Sequence, residues 1–464
     1  MVTSAVAERQ PAVRAATTVA PPAAAGVPHW GLPEWFIIGQ TAIPALLYLP
    51  GSQPSRLPIR VASFAISLLG LLVWLHSKRR RGIHFRPAHL WLAAAVVYLG
   101  LMLLHPTTNS FIAGAAQITL YLAVLAPVFW VAPLVRGPRH LARLLVLLFL
   151  CSGVNCLVGI LQVYDPAHWM PQEFSRVVTG SAYGLEAVSY LGPDGRRIIR
   201  PPGLFDAPGA VCAPGMVAVL LGLMFCLNAG AVWKKIVAVL FTLLGMAAIF
   251  LSHVRSSFVV VAGMVVVGTF VLLIVQKERL KAAVLLGLSG LLLLGAFSVA
   301  VALGGQSTRE RFASLLEQNL LELYHTTRGG QLEYGFSTLL VDYPLGAGLG
   351  RWGMINVYFG DASNRQASPI WAELQPNAWI VDGGFVLLLL YGGALWLNTR
   401  DGLRLARTGA ARDLRWWAVA VFVINAGTLA LMLSFTPFTT QVGLQYWFLS
   451  GALQGAALKR GGGA

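Results

Sequence analysis

The apolar residues of this chain come in blocks of about twenty, and short basic loops separate the blocks. A helix needs about 20 apolar residues to cross the hydrocarbon core of a bilayer, where its backbone must satisfy its own hydrogen bonds. The block length therefore predicts an all-α, polytopic membrane protein. Twelve segments of the 464-residue chain fit: 35–50, 58–76, 88–105, 111–134, 141–163, 208–229, 233–252, 256–276, 281–303, 379–398, 414–436 and 440–458. The first is the shortest and carries Pro44. Charged residues make up 11% of the chain, against roughly 25% in soluble domains, which excludes an ordinary water-soluble enzyme. No soluble catalytic domain fits between the segments, whose two longest gaps are 164–207 and 304–378.

The formal net charge is +16, from 34 Lys+Arg against 18 Asp+Glu. Such a balance raises nucleic-acid binding, but here the basic residues flank apolar blocks. Membrane topology accounts for them, and no nucleic-acid partner is expected. One set of loops holds 22 of the 34, among them Lys78, Arg79, Arg80, Arg81 and Arg86, and Arg400, Arg404, Arg407, Arg412 and Arg415. The short loops opposite, 106–110 and 437–439, hold none. By the positive-inside rule the basic side is cytoplasmic. Twelve crossings then leave both termini inside and both long gaps outside.

The expected organisation follows. Residues 1–34, rich in Ala, Val and Pro and without a signal-peptide pattern, read as a disordered cytoplasmic tail. Residues 35–303 form an N-terminal transmembrane bundle that includes the outer loop 164–207. Residues 304–378 form a large outer loop, and 379–464 the last spans with a short cytoplasmic tail. Cys151, Cys156, Cys212 and Cys226 all lie in apolar blocks without a CxxC, so they read as small core residues.

The outer side has room for a site. It holds the other twelve basic residues, and all twelve are Arg: Arg56, Arg60, Arg176, Arg196, Arg197, Arg200, Arg255, Arg309, Arg311, Arg328, Arg351 and Arg365. Guanidinium groups form two-pronged contacts to phosphate or carboxylate. Familiar cofactor motifs are absent. The chain has no GxxxxGK[ST], no HExxH, no Cys/His cluster and no DxD, so no cofactor and no metal site are expected. GAGLG at 346–350 lacks the strand and helix of a dinucleotide site and reads as a glycine turn.

Four segments stand out. In RRIIRPPGLFDAPGAVCAPG, 196–215, Arg200 precedes irregular backbone at a membrane boundary, suited to a lipid phosphate or to simple snorkelling. In SHVRSS, 252–257, His253 and Arg255 sit in a tight turn at membrane depth, where an ionisable group is a functional candidate. In 309–353, apolar residues at 312, 315, 316, 320, 321 and 323 predict an amphipathic helix on the outer face. A second helix, about 331–341, follows Arg328 and a Gly-Gly break, then a glycine run that lets backbone approach a ligand or another helix. In WAELQPNAWIVDGG, 371–384, Glu373 and Asp382 are interfacial acids. A carboxylate in partly apolar surroundings can act as a base, which suits Glu373, while Asp382 reads better as a helix N-terminal acid.

The order Arg-Pro-Pro-Gly-Leu-Phe-Asp, then Ser-x-x-Arg-Ser, then Asp-Tyr-Pro-Leu-Gly-Ala-Gly-Leu-Gly resembles the O-antigen ligase and polysaccharide polymerase superfamily over about 196–398. The resemblance implies a GT-C-like helical fold in the bacterial inner membrane, with an active site on the periplasmic face. It implies metal-independent transfer of glycan from an undecaprenyl diphosphate carrier to a glycan or lipid acceptor. It allows other polysaccharide-assembly proteins as partners. The arginines that hold the diphosphate in that family carry onto Arg200, Arg255 and Arg328. The ligases also place a His-Asn pair shortly before the glycine of the following span. Here Glu373 and Leu374 occupy that slot, and no His follows His325. The departure points to a polymerase, with Glu373 as the base and His325 and His253 as further candidates. A ligase passing polymer to lipid A-core and a twelve-span secondary transporter are the alternatives. The two halves of the chain carry no visible repeat of the kind many transporters have.

Overall fold

The computed structural model describes residues 30–77, 86–172, 174, 184–228, 230–317, 319, 322 and 324–458. The chain is overwhelmingly helical. Among the described residues, eight helices are long and apolar enough to cross a membrane: α2 (Arg56–His76), α4 (Phe111–Trp130), α5 (Pro138–Tyr164), α7 (Val232–Leu251), α8 (Arg255–Val275), α9 (Arg279–Gly304), α13 (Gln375–Thr408) and α14 (Arg412–Leu431). Four others coincide with expected spans but fall short of that measure. These are α1 (Leu32–Ala45), α3 (Pro87–Met102), α6 (Cys212–Asn228) and α15 (Gln441–Leu458). The first two shortfalls and that of α6 are of length. That of α15 is of composition, since Gln441, Gln445, Ser450 and Gln454 lower its hydropathy.

Burial explains how α15 tolerates those groups. Most of its residues are buried, packed between α4 and α14, so Ser450 and Gln454 meet partners instead of lipid. Asn398 on α13 donates to Tyr446 Oη at 3.0 Å and to Ser450 Oγ at 2.8 Å, and Asn425 on α14 donates to Ser450 Oγ at 2.9 Å. Beside this network Trp379, Tyr391, Phe438, Tyr446 and Trp447 stack into one aromatic core, with ring centroids as close as 4.7 Å.

Around that core α3 and α14 flank α13, α6 packs along α5 and α7, and α8 joins α9 to α14. Between α5 and α6 lies a short antiparallel hairpin, β1 (Ser189–Leu191) and β2 (Arg197–Ile199), with Tyr190 opposite Ile198. After α9, a turn at Gly305 leads into α10 (Gln306–Glu317), the expected amphipathic helix. Its Phe312 is buried, whereas Leu320, Leu321 and Leu323 of the predicted stripe lie outside the described residues. The helical run α11 spans 325–342 and passes through π turns at His325–Gly329 and Gly335–Leu339, and α12 (Gly353–Phe359) precedes the segment leading to α13. The basic residues Arg9, Arg14, Lys78, Arg79, Arg80, Arg81, Arg176, Lys459 and Arg460 also lie outside the described residues, as does the tail through residue 29.

Helix α13 is broken at Gly383 and Gly384, whose backbone is not helical. The break is filled by the glycine run. Ala347 N–H donates to Val381 O at 2.7 Å and Phe385 N–H to Pro344 O at 2.9 Å. Gly346 and Gly348 both have positive φ, and a Cβ on either would strike the backbone of Gly383 or of Thr107 and Thr108. The close approach open in the sequence is thus chain against chain: these glycines weld α13 to the α3–α4 turn. Asp382, beside the break, is fully buried. It accepts from Tyr121 Oη at 2.7 Å, Trp352 Nε1 at 2.9 Å and Gln117 Nε2 at 3.2 Å.

Candidate functional site

The segment after β2 enters the bundle without regular structure, so its backbone needs side-chain partners. Gln162 supplies two: it donates to Gly203 O at 2.7 Å and accepts from Gly203 N–H at 2.9 Å. Asn155 accepts from Leu204 N–H at 3.3 Å, and Tyr48 donates to Phe205 O at 2.9 Å. Gly203 sits at φ +66°, and a Cβ there would collide with Asn155. Both backbone groups of Arg200 are pinned as well, its N–H to Val188 O at 2.9 Å and its carbonyl by Gly209 N–H at 3.2 Å. Arg200 is therefore held in place by its main chain, while its side chain extends into a cavity.

The α7–α8 turn brings the next residues. Ser252 Oγ donates to Ile249 O at 2.6 Å and accepts from Val254 N–H at 3.2 Å, closing the turn. His253 adopts φ +56° and is buried, stacked on Tyr190 with centroids 3.7 Å apart and bonded through Nε2 to Thr308 Oγ1 at 3.0 Å. Burial, then Arg200, Arg311 and Arg255, push its pKa down to about 3. The ring is neutral at physiological pH and a weak base. Its visible work is to join the hairpin to α10. Arg255 takes the first position of α8, where unsatisfied N–H groups and the positive end of the helix dipole already favour an anion. The Nε–H groups of Arg200 and Arg255 are buried without a hydrogen-bond partner, and neither residue pairs with a carboxylate among the described residues.

Arg200, His253, Arg255, Arg328 and Glu373 all line one cavity of about 1240 Å³. The structure thus gathers five of the six candidates of the sequence. His325 is exposed and absent from the lining. Glu373, just before α13, is not in apolar surroundings. Arg328 forms an ion pair with it, and Gln331 bridges the two, accepting from Arg328 Nη1 at 3.1 Å and donating to Glu373 Oε2 at 3.1 Å. Burial lowers the pKa of Arg328, and Tyr324 opposes the shift.

Other lining residues were passed over in the sequence. Arg311 approaches His253 O with its Nε at 3.5 Å. Asp206 accepts from Arg60 Nε at 2.8 Å and Arg56 Nη2 at 3.2 Å, and Arg60 also donates to Tyr358 Oη at 2.7 Å. Arg351 is not aimed outward; it donates to Ala347 O at 2.9 Å and Ser368 O at 3.0 Å. Arg196 and Arg197 pair with Asp194 and Glu186 on the hairpin. Arg60, Arg311 and Arg328 thus both line the cavity and bond to their own chain, whereas Arg200 and Arg255 line it with no carboxylate partner among the described residues.

Away from the arginines the cavity runs between helices. Phe36 and Ile37 of α1, Phe64 of α2, Leu120 of α4, Leu148 of α5 and Phe448 of α15 form an apolar arm. Among the described residues, no three His, Cys, Asp or Glu side chains are grouped so as to hold a metal ion. Neither a protein-family model nor a curated protein matches the chain.

Proposed function

We propose that this protein is a membrane glycosyltransferase that polymerises saccharide units carried on a polyprenyl diphosphate. One observation carries the reading: a single cavity joins a cationic end, with Arg200 and Arg255, to an apolar arm between helices. That is the shape and polarity of an isoprenoid diphosphate. The cations would hold the diphosphate through charge-assisted bonds, and the arm would take the first isoprene units. An acceptor hydroxyl attacks the anomeric carbon, its proton passes to a base, and the diphosphate leaves with the electron pair of the broken bond. Fixed cations at the leaving oxygen stabilise the charge that develops there.

Glu373 is the base in this reading. It shares the cavity, and its pairing with Arg328 gives it a defined orientation. An Arg328 that turned to the donor phosphates would release the carboxylate for proton transfer. A GT-C-like arrangement in the inner membrane, with twelve crossings, both termini cytoplasmic and the cavity open to the periplasm, belongs to the same proposal. It is supported by the segregation of basic loops from the cavity-forming segments.

The test is the glycan profile of cells lacking the protein, together with consumption of lipid-linked saccharide by the purified protein in EDTA. Single repeat units accumulating on the carrier are expected. Long chains accumulating on the carrier, with none on the acceptor, would establish a ligase. Loss of activity in EDTA would end the metal-independent mechanism, and ion-gradient-dependent uptake into vesicles without saccharide consumption would make the protein a transporter.

A further inference from the structure

We propose that Arg311, brought to the cavity by helix α10, is a further catalytic residue that contacts the leaving diphosphate together with Arg200 and Arg255. The inference rests on the glycosyl-transfer reading above and adds to it a residue and a moment in the reaction.

The geometry starts at Gly305. Its φ of +74° turns the chain back at the end of α9, and a Cβ there would meet the backbone of Pro193, so the turn lies directly on the hairpin. Ser307 Oγ donates to Leu191 O at 2.6 Å and ties α10 to β1. Positions 308, 311 and 312 then share one face of α10, as residues three and four apart do. Thr308 meets His253, Phe312 sits edge-on to Phe250 with centroids 4.8 Å apart, and Arg311 between them points its Nε toward His253 O. The same clamp that seats α10 therefore aims Arg311 into the cavity beside Arg200 and Arg255. The proximity is felt electrostatically: burial, then Arg255, then Arg200 lower the Arg311 pKa to about 10. Three guanidinium groups gathered on one wall repel one another unless an anion joins them.

The reaction supplies a reason for a third cation. In the donor the diphosphate is a diester. As the bond from anomeric carbon to phosphate oxygen breaks, the electron pair stays on that oxygen and the diphosphate becomes a monoester with one more negative charge. The acceptor oxygen forms the new glycosidic bond and gives its proton to Glu373. A cation that meets only the added charge binds the transition state and the departing diphosphate more strongly than the donor, which raises the rate rather than only the affinity.

Geranylgeranyl diphosphate is a short form of that leaving group, and its binding to the purified full-length protein in nanodiscs tests the proposal. Geranylgeranyl monophosphate and geranylgeraniol serve as comparisons. Arg311→Gln is expected to weaken diphosphate binding about tenfold to a hundredfold and monophosphate binding much less. Arg311→Lys should fall between, and Arg309→Gln, an exposed neighbour on α10, should match the unaltered protein. In turnover of lipid-linked saccharide, Arg311→Gln should lower kcat more than it raises KM. If Arg255→Gln weakens the diphosphate while both Arg311 variants bind as the unaltered protein does, Arg311 has no contact with it and the inference is wrong. If the unaltered protein does not prefer the diphosphate to geranylgeraniol, the glycosyl-transfer reading fails, and this inference with it.

Discussion

At one end of the bundle Arg86 meets Asp401 at 3.1 Å, Arg143 and His140 meet Glu34 at 3.6 and 3.0 Å, and Glu278 takes Lys281 and Arg412, both at 3.4 Å. At the other end Arg200 and Arg255 face a cavity with Nε–H groups that nothing in the described chain accepts. Both ends hold ion pairs, those of the cavity end including Arg60 with Asp206 and Arg328 with Glu373, but Arg200 and Arg255 have no carboxylate partner among the described residues. Where a carboxylate lies on a neighbouring helix, as for Arg86, Arg143 and Arg412, the cation fastens one helix to the next. Where main-chain bonds and helix ends alone fix the cation, its charge remains for a ligand. Two partly buried cations without a counter-charge disfavour the folded state, a cost that the anion of the proposed function would offset.

Glu373→Gln should reduce turnover of lipid-linked saccharide about 10²- to 10⁴-fold if the carboxylate is the base. A variant with near-normal turnover would leave Glu373 as a mere partner of Arg328. Arg255→Lys keeps the charge and loses the fork, so glycan product should fall about 10²-fold while the protein inserts normally. Near-normal product would take Arg255 out of the site.

His253 makes the stability of the cavity end depend on pH. Its folded pKa, about 3, lies below the ordinary value, so the unfolded chain takes up the proton first as pH falls. Stability is then full above the unfolded value near 6.5 and declines below it. Between pH 6.5 and 5 the decline from this residue is about 2 kcal/mol. The thermal midpoint of His253→Gln should change less over that interval than that of the unaltered protein, and parallel curves would refute the assignment. At the opposite end, Asp401→Ala should cost about 1 kcal/mol in thermal stability and leave turnover unchanged. Arg81→Ala, in a loop whose charges act jointly on topology, should change neither. A large loss of turnover in either variant would erase the distinction between the ends.

Much of the site was legible locally. Arg200, Arg255 and Glu373 announce themselves by a charge beside Pro, Gly, Ser or Trp where an apolar block begins, and all three reach the cavity. Arg311 carries a weaker signal, a position next to the Phe312 stripe of an amphipathic helix. Only the docking of α10 on the hairpin and on the α7–α8 turn gives it meaning. Asp382 is the reverse case. Its place among aromatic residues suggests an acid at a helix N-terminus, and the structure buries it beside the break in α13, where Tyr121, Trp352 and Gln117 donate to it.

Which stretches are apolar enough to leave water follows from local composition, because transfer into lipid is summed residue by residue along a helix. That the basic residues of the segments 196–215, 252–257 and 309–353 are all arginines is legible in the same local way. The tertiary structure decided which helix ends meet. It made α15 a shielded central helix despite its glutamines, put backbone rather than ligand against Gly346 and Gly348, and sorted the arginines into anchors and cavity residues. Those outcomes depend on contacts between residues far apart in the chain, where a partner is gained or lost by a single helix packing, and no local pattern records them.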